Sequence, residues 1–133
     1  GLAYDGCERR QRGGRKAGLE LLHSFLSQRG EGYTKEMSSP VTAFESCSRL
    51  SPHLAFGTLS IREVFQALEK HNSKIQKSPS HIQGKWLSTY HSFSARLRWH
   101  CHFIQKLEDE PRIEFENLHP AYNHLREAHF NQK

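Results

Sequence analysis

The sequence predicts an all-α fold, and three observations carry that expectation. Apolar residues recur at three- and four-residue spacing along several stretches. Capping patterns stand in front of those stretches. No segment alternates apolar and polar residues in the manner of a half-buried strand. At 133 residues, 35% of them apolar, the chain suits a single domain with a thin core. The mean hydropathy of -0.77 agrees with this.

The elements follow in order. Residues 1–14 are rich in Gly and Arg, lack periodicity and read as a linker closed by Gly13 and Gly14. Residues 15–133 read as one partial helical domain. A first helix is predicted over 15–29, with Leu19, Leu22, Phe25 and Leu26 on one face and Gly30 and Gly32 as its stop. Residues 33–47 read as a loop, near the length at which a loop inside a compact domain has a function. Ser51 suits an N-cap and Pro52 the first helical position, giving a short helix over 51–56 that Gly57 ends. Ser60 and Glu63 form a capping-box pattern in front of a helix over 60–70, whose stripe is Ile61, Val64, Phe65 and Leu68.

Residues 70–79 are polar and loop-like. The longest helix is expected over 79–107, stopped by the acidic run before Pro111, because the residue preceding a proline avoids the helical region. The tail holds Phe115, Leu118, Tyr122 and Leu125, which either form short helices or need further chain to pack on. The long helix carries two faces. Trp86, Tyr90, Phe93, Leu97 and Ile104 make a core stripe. Arg96, Trp99, His100 and Phe103 gather on a second face, since Trp99 stands about 200° around the helix from Leu97. That second face is either another packing surface or the lining of a ligand pocket.

A formal charge of +5 permits a polyanionic partner, because Lys and Arg neutralise phosphates and release counterions. It is equally the charge of an ordinary basic surface. Three well-separated cysteines, Cys7, Cys47 and Cys101, with no CxxC, point to thiols in a reducing, intracellular compartment rather than to a disulfide framework. No apolar run nears the roughly 20 residues of a membrane span. His100-Cys101-His102 does not make a metal site, because residues two apart on a helix point to different sides, so no metal ligand is expected. Walker, GxGxxG, GxSxG and HExxH patterns are absent. The chain opens at Gly1 without a methionine and is expected to be a piece of a longer protein.

Three segments, in order, resemble the helical FAD-binding domain of the photolyase/cryptochrome family. Gly13-Gly14-Arg15-Lys16-Ala17-Gly18-Leu19 is similar to the family's GG-x-x-A-x-x-x-L opening. The segment from Ser46 to Ser60, with Leu50-Ser51-Pro52-His53-Leu54 at its centre, is similar to TS-x-LSP-(Y/H)-L-x-x-G-x-(L/I)-S. Arg96-Leu97-Arg98-Trp99-His100 stands where the family has E-L-x-W-R. The resemblance covers about residues 13–110 and places the chain in the N-terminal half of that domain. It implies FAD contacts at Tyr33, at Cys47, Ser48, Arg49, Leu50 and Ser51, and at Phe93. It implies a substrate cavity beside Arg96, Trp99 and His100, where an aromatic ring can stack on a flipped base. On the residues alone, the reading of Ser48 and Ser51 as mere helix caps is the favoured one. The sequence departs from the family's pattern at Cys47, Arg96 and His100. A guanidinium donates hydrogen bonds and cannot replace a carboxylate that accepts them.

The function so implied is that of a piece of a flavin-dependent DNA photolyase or cryptochrome-like protein. Its intact parent would bind FAD and use light-driven electron transfer for DNA repair or blue-light signalling. The parent would be a deoxyribodipyrimidine photolyase if it is an enzyme. The isolated chain is expected to be inactive and to hold FAD weakly or not at all, its partners being DNA through the basic surface and the remaining parts of the parent. The competing reading is a non-enzymatic basic helical module that binds nucleic acid or a protein partner.

Overall fold

A computed structural model describes Gly6, Cys7, residues 10–123 and Leu125. Among the described residues there are helices and turns and no strand. The helices are α1 (Arg15–Ser27), α2 (Tyr33–Glu36), α3 (Ala43–Ser46), α4 (Ser51–Ala55), α5 (Ile61–Ile75) and α6 (Ser80–Asp109). The chain divides into two compact units, Gly1–Leu97 and Arg98–Lys133, with the boundary inside α6.

The first unit holds the core. Phe25 of α1, Tyr33 of α2 and Phe93 of α6 form an aromatic trio. Phe25 and Phe93 have ring centroids 4.7 Å apart, and Tyr33 meets both edge-on. Leu22, Leu26, Leu50, Leu59, Val64, Leu68 and Leu97 complete the cluster. The 15–29 stripe therefore packs through Leu22, Phe25 and Leu26, while Leu19 stays 40% exposed. Two glycines permit close approach. A Cβ on Gly30 would lie 2.7 Å from the Phe25 carbonyl oxygen and 3.0 Å from the Trp86 ring. The Gly30 carbonyl in turn accepts a buried hydrogen bond of 2.6 Å from the Thr89 hydroxyl. A Cβ on Gly18 would meet the buried His53 ring at 2.9 Å.

Caps and ion pairs set the helix ends. Ser60 caps α5 by accepting from the Glu63 N–H at 3.1 Å. The Glu63 carboxylate meets Arg15 at the start of α1, which holds it below the usual carboxylate range. The Tyr90 hydroxyl donates to Glu69 at 2.6 Å, joining α6 to α5.

Several expectations need correction. Residues 33–47 are not all loop: α2 and α3 lie there, each a single turn. Residues 70–79 are helical as far as Ile75, because α5 continues with its polar face in solvent. Ser51 is not an N-cap. Leu50 occupies that position without a side-chain cap bond, and Ser51 and Pro52 are the first two helical residues. Of residues 1–14, Gln11 is tied down, its side-chain amide donating to the Arg49 carbonyl.

The second unit comprises the end of α6 and two short 3-10 turns, Pro111–Glu114 and Pro120–Tyr122. No described residue beyond Leu97 is buried. Ile104, expected in the core stripe, is 48% exposed, and Phe115, Leu118, Tyr122 and Leu125 are exposed as well. Among the described residues no helix is long and apolar enough to cross a membrane.

Candidate functional site

The polypeptide turns sharply between α3 and α4, and the residues of the motif from Cys47 to Ser51 make that turn. Arg49 takes a left-handed backbone conformation, φ 59°. That costs a non-glycine residue about 1–2 kcal/mol. The Gln11 amide on its carbonyl and the Phe44 ring, 3.7 Å from its guanidinium carbon, hold it there. Leu50 plugs the turn into the core at 2% exposure.

Arg29 anchors the same turn from the end of α1. Its Nε donates to the Ser24 hydroxyl at 3.0 Å and its Nη2 to the Leu21 carbonyl at 3.0 Å. The guanidinium also donates to the carbonyl of Cys47 and, at 3.4 Å each, to those of Glu45 and Ser48. One planar fork thus satisfies carbonyls on two segments, a geometry that only Arg among the side chains supplies. Burial first, and then the neighbouring Arg49, lower its pKa from the ordinary value. No local pattern in the sequence marks Arg29, because its partners lie up to 19 residues away.

Tyr33, Cys47 and Arg96 converge. The Tyr33 phenol and the Cys47 thiol both lie within electrostatic reach of the Arg96 guanidinium. Burial, and then Cys47, push the Tyr33 phenol up, while Arg96 pulls it back. Burial likewise pushes the Cys47 thiol up, against the pull of Arg29 and Arg96. Both groups are therefore neutral at pH 7, beside cationic guanidiniums. That arrangement offers hydrogen-bond donors and positive charge to an anionic or acceptor-rich ligand.

The motif's serines stand ready as donors. Ser48 uses its carbonyl on Arg29, while no hydrogen bond of the Ser48 or Ser51 hydroxyl occurs among the described residues. Neither serine caps α4, so the cap reading of these two residues does not account for them. With only five residues, α4 sums few peptide dipoles, and the hydroxyls rather than a macrodipole are what the turn offers.

Two other residues expected at a cofactor lie in the core. Phe93 is interlocked with Phe25 and Tyr33 at 4% exposure, and Leu50 offers a ligand only its backbone. Of the residues expected at a substrate cavity, Arg96 lies in the first unit. Trp99 and His100 lie in the second. Trp99 is 57% exposed, with the Phe103 ring edge-on at 6.2 Å. The His100 Nδ1 atom is buried and has no hydrogen-bond partner among the described residues. Among the described residues no group of three His, Cys, Asp or Glu side chains is placed to hold a metal ion.

Comparison with known proteins returns the family named by the motifs. The chain is similar to a cryptochrome DASH of Idiomarina loihiensis, 32% identical over 87 residues, which is 65% of this chain and 18% of that protein. It is similar to a deoxyribodipyrimidine photo-lyase of Halobacterium salinarum, 32% identical over 111 residues, covering 84% of this chain and 21% of that protein. A deoxyribodipyrimidine photo-lyase of Streptomyces griseus is 32% identical over 116 residues, 86% of this chain and 22% of that protein. The chain thus spans about a fifth of the length of these relatives. No family model matches it, and no solved structure does.

Proposed function

From the premise that this chain is a relative of the photolyase/cryptochrome proteins over most of its length, we propose that it contributes one wall of a flavin site. The site belongs to a longer protein that uses light-driven electron transfer, for DNA repair or for blue-light signalling. The observation that carries this reading is that Tyr33, Cys47 and Arg96 lie within electrostatic reach of one another beside a turn whose Ser48 and Ser51 hydroxyls make no hydrogen bond among the described residues. Bound FAD would supply the light-driven electron transfer. The chain's own residues do the holding. The Ser48 and Ser51 hydroxyls donate to anionic oxygens, and Arg96 adds charge at the Tyr33 end. Arg29 keeps the turn in shape without touching the ligand. Cys47 remains a neutral thiol. Leu50 and Phe93 act through the core, as support for the turn and for Tyr33.

DNA is the proposed partner of the basic surface, with the exposed Trp99 ring as its stacking platform. The remaining parts of the longer protein are the other proposed partners.

FAD titrated into the 15N-labelled chain tests the proposal. Weak, saturable shifts are expected, concentrated on the amides of Tyr33, residues 47–51 and Arg96. Ser48→Ala with Ser51→Ala should abolish them while the thermal midpoint holds. Shifts scattered over the whole chain, or shifts at residues 47–51 undiminished in the double serine variant, would overturn the proposal.

A further inference from the structure

A second concave feature lies away from the turn, between α1 and α5, and shares no residue with it. It is an open groove of about 420 Å³, a size within the roughly 300–1,000 Å³ of ligand pockets. Its origin is visible in the spacing. Leu19, Leu22 and Leu26 stand at i, i+3 and i+7 on α1, and Ala67, Lys70 and Lys74 repeat that pattern on α5. Two helix faces of about two turns each thus border one trough, about 10 Å long at 1.5 Å per residue.

The two banks differ in chemistry. The floor is aliphatic: Leu22 and Leu26 are buried, Ala67 is half-buried and Leu19 is 40% exposed. Lys70 and Lys74 line the α5 bank one turn apart, both exposed. Neither ammonium is in an ion pair among the described residues. No carboxylate lines the groove. His23, Ser27 and His71 supply the remaining polar atoms. Burial, and then Lys74, hold the His71 imidazole below its usual range, so at pH 7 the positive charge belongs to the lysines. The His71 ring also lies 4.5 Å, edge-on, from the buried Trp86 ring, which ties the groove to an intrinsic fluorophore.

We propose that this groove binds a single-chain amphiphilic carboxylate, its aliphatic tail along Leu19, Leu22 and Leu26 and its head between Lys70 and Lys74. The lysines supply two point charges for the head, and the leucines supply apolar surface for the tail. The site belongs to the α1–α5 face and is independent of any flavin.

The test uses the full chain carrying Trp99→Phe, which leaves Trp86 as its only tryptophan. Decanoate, added below its micelle concentration, should change the Trp86 emission saturably. Decanol should bind roughly tenfold more weakly, and Lys70→Gln with Lys74→Gln should weaken decanoate by a similar roughly tenfold factor, the size of a charge-assisted contact. Leu19→Glu should abolish the change with the circular dichroism intact. Three results would overturn the proposal: no saturable response of Trp86, equal affinity for decanol and decanoate, or undiminished decanoate binding by the double lysine variant.

Discussion

The two halves of α6 carry the same kind of sequence and meet different fates. From Ser80 to Leu97 the helix buries Trp86, Thr89, Phe93, Ser94 and Leu97. From Arg98 to Asp109 no residue is buried as a whole, although Trp99, Phe103, Ile104 and Leu107 continue an apolar supply and are 46% to 61% exposed. Period 3.6 shows which residues share a face. Whether that face is covered depends on the elements beside it: the inner half meets α1, α2 and α5. Apolar periodicity is thus evidence for a helix and, separately, a request for a partner.

The largest effect should come from breaking the inner half. Phe93→Ala removes a ring that touches both Phe25 and Tyr33, and a deletion of that kind in a packed core costs about 3–5 kcal/mol. Urea unfolding should show it directly. Ile104→Ala in the outer half should stay within about 0.5 kcal/mol, the range of surface changes. Equal losses at the two sites would erase the distinction between the halves.

Next in size is Gly30→Ala. The added methyl overlaps the Phe25 carbonyl oxygen, a backbone atom that cannot swing aside, and overpacking costs typically about 1–3 kcal/mol. The Thr89 bond to the Gly30 carbonyl should loosen with it, raising amide exchange at the start of α2. Arg29→Met should cost a comparable or smaller amount. It retains apolar packing but leaves the Cys47 carbonyl without its donor, at about 1–3 kcal/mol for an unsatisfied buried group.

How much of this could be read from the sequence follows from range. The helices α1, α5 and α6 were legible because each repeats its pattern over three or more turns. The capping box at Ser60 and Glu63 was legible because it is local. Turns as short as α2 and α3 leave no periodicity to see, and the end of α5 was hidden by exposed Lys70, Ser73 and Lys74 on its solvent side. At the candidate site, the motif marked Cys47 to Ser51, and the resemblance added Tyr33 and Arg96. Arg29 escaped because its function is a set of contacts made only in the folded chain. Phe93 was legible as core from its stripe, and the structure keeps it there.

A smaller effect sharpens the boundary between the packed and open regions. Burial and Lys74 depress the His71 pKa, so the folded protein favours the neutral imidazole more than the unfolded chain does. The sign follows from linkage: stability from this group is present above the ordinary His pKa of about 6.5 and is lost as the pH falls through the depressed value. Denaturation midpoints should fall on acidification below about pH 6.5, and His71→Gln should flatten that slope. Cys47 works in the opposite direction. Its raised pKa gives stability that is present below the ordinary thiol value and is lost as the pH rises through the raised one.

The smallest expected change in stability is at Trp99, and there it separates two meanings of an exposed aromatic. A tryptophan in a core would cost about 3–5 kcal/mol on truncation. At 57% exposure, Trp99→Ala should cost no more than about 0.5 kcal/mol. If the ring is a stacking platform, the loss appears elsewhere. Base stacking on an aromatic is worth about 1–3 kcal/mol, so affinity for a single-stranded oligonucleotide, read by anisotropy at fixed salt, should drop roughly ten- to a hundredfold. Salt must be fixed because the +5 charge supplies a counterion-release term that Trp99 does not touch, and the salt slope of the variant should match that of the parent chain. Trp99→Phe should restore most of the affinity, since it keeps a ring. An unchanged affinity would leave Trp99 without a nucleic-acid function and remove the only aromatic argument for DNA as a partner of the outer half of α6. A large fall in thermal midpoint would show instead that the ring is packed in solution and that the two halves of the helix differ less than their burial suggests.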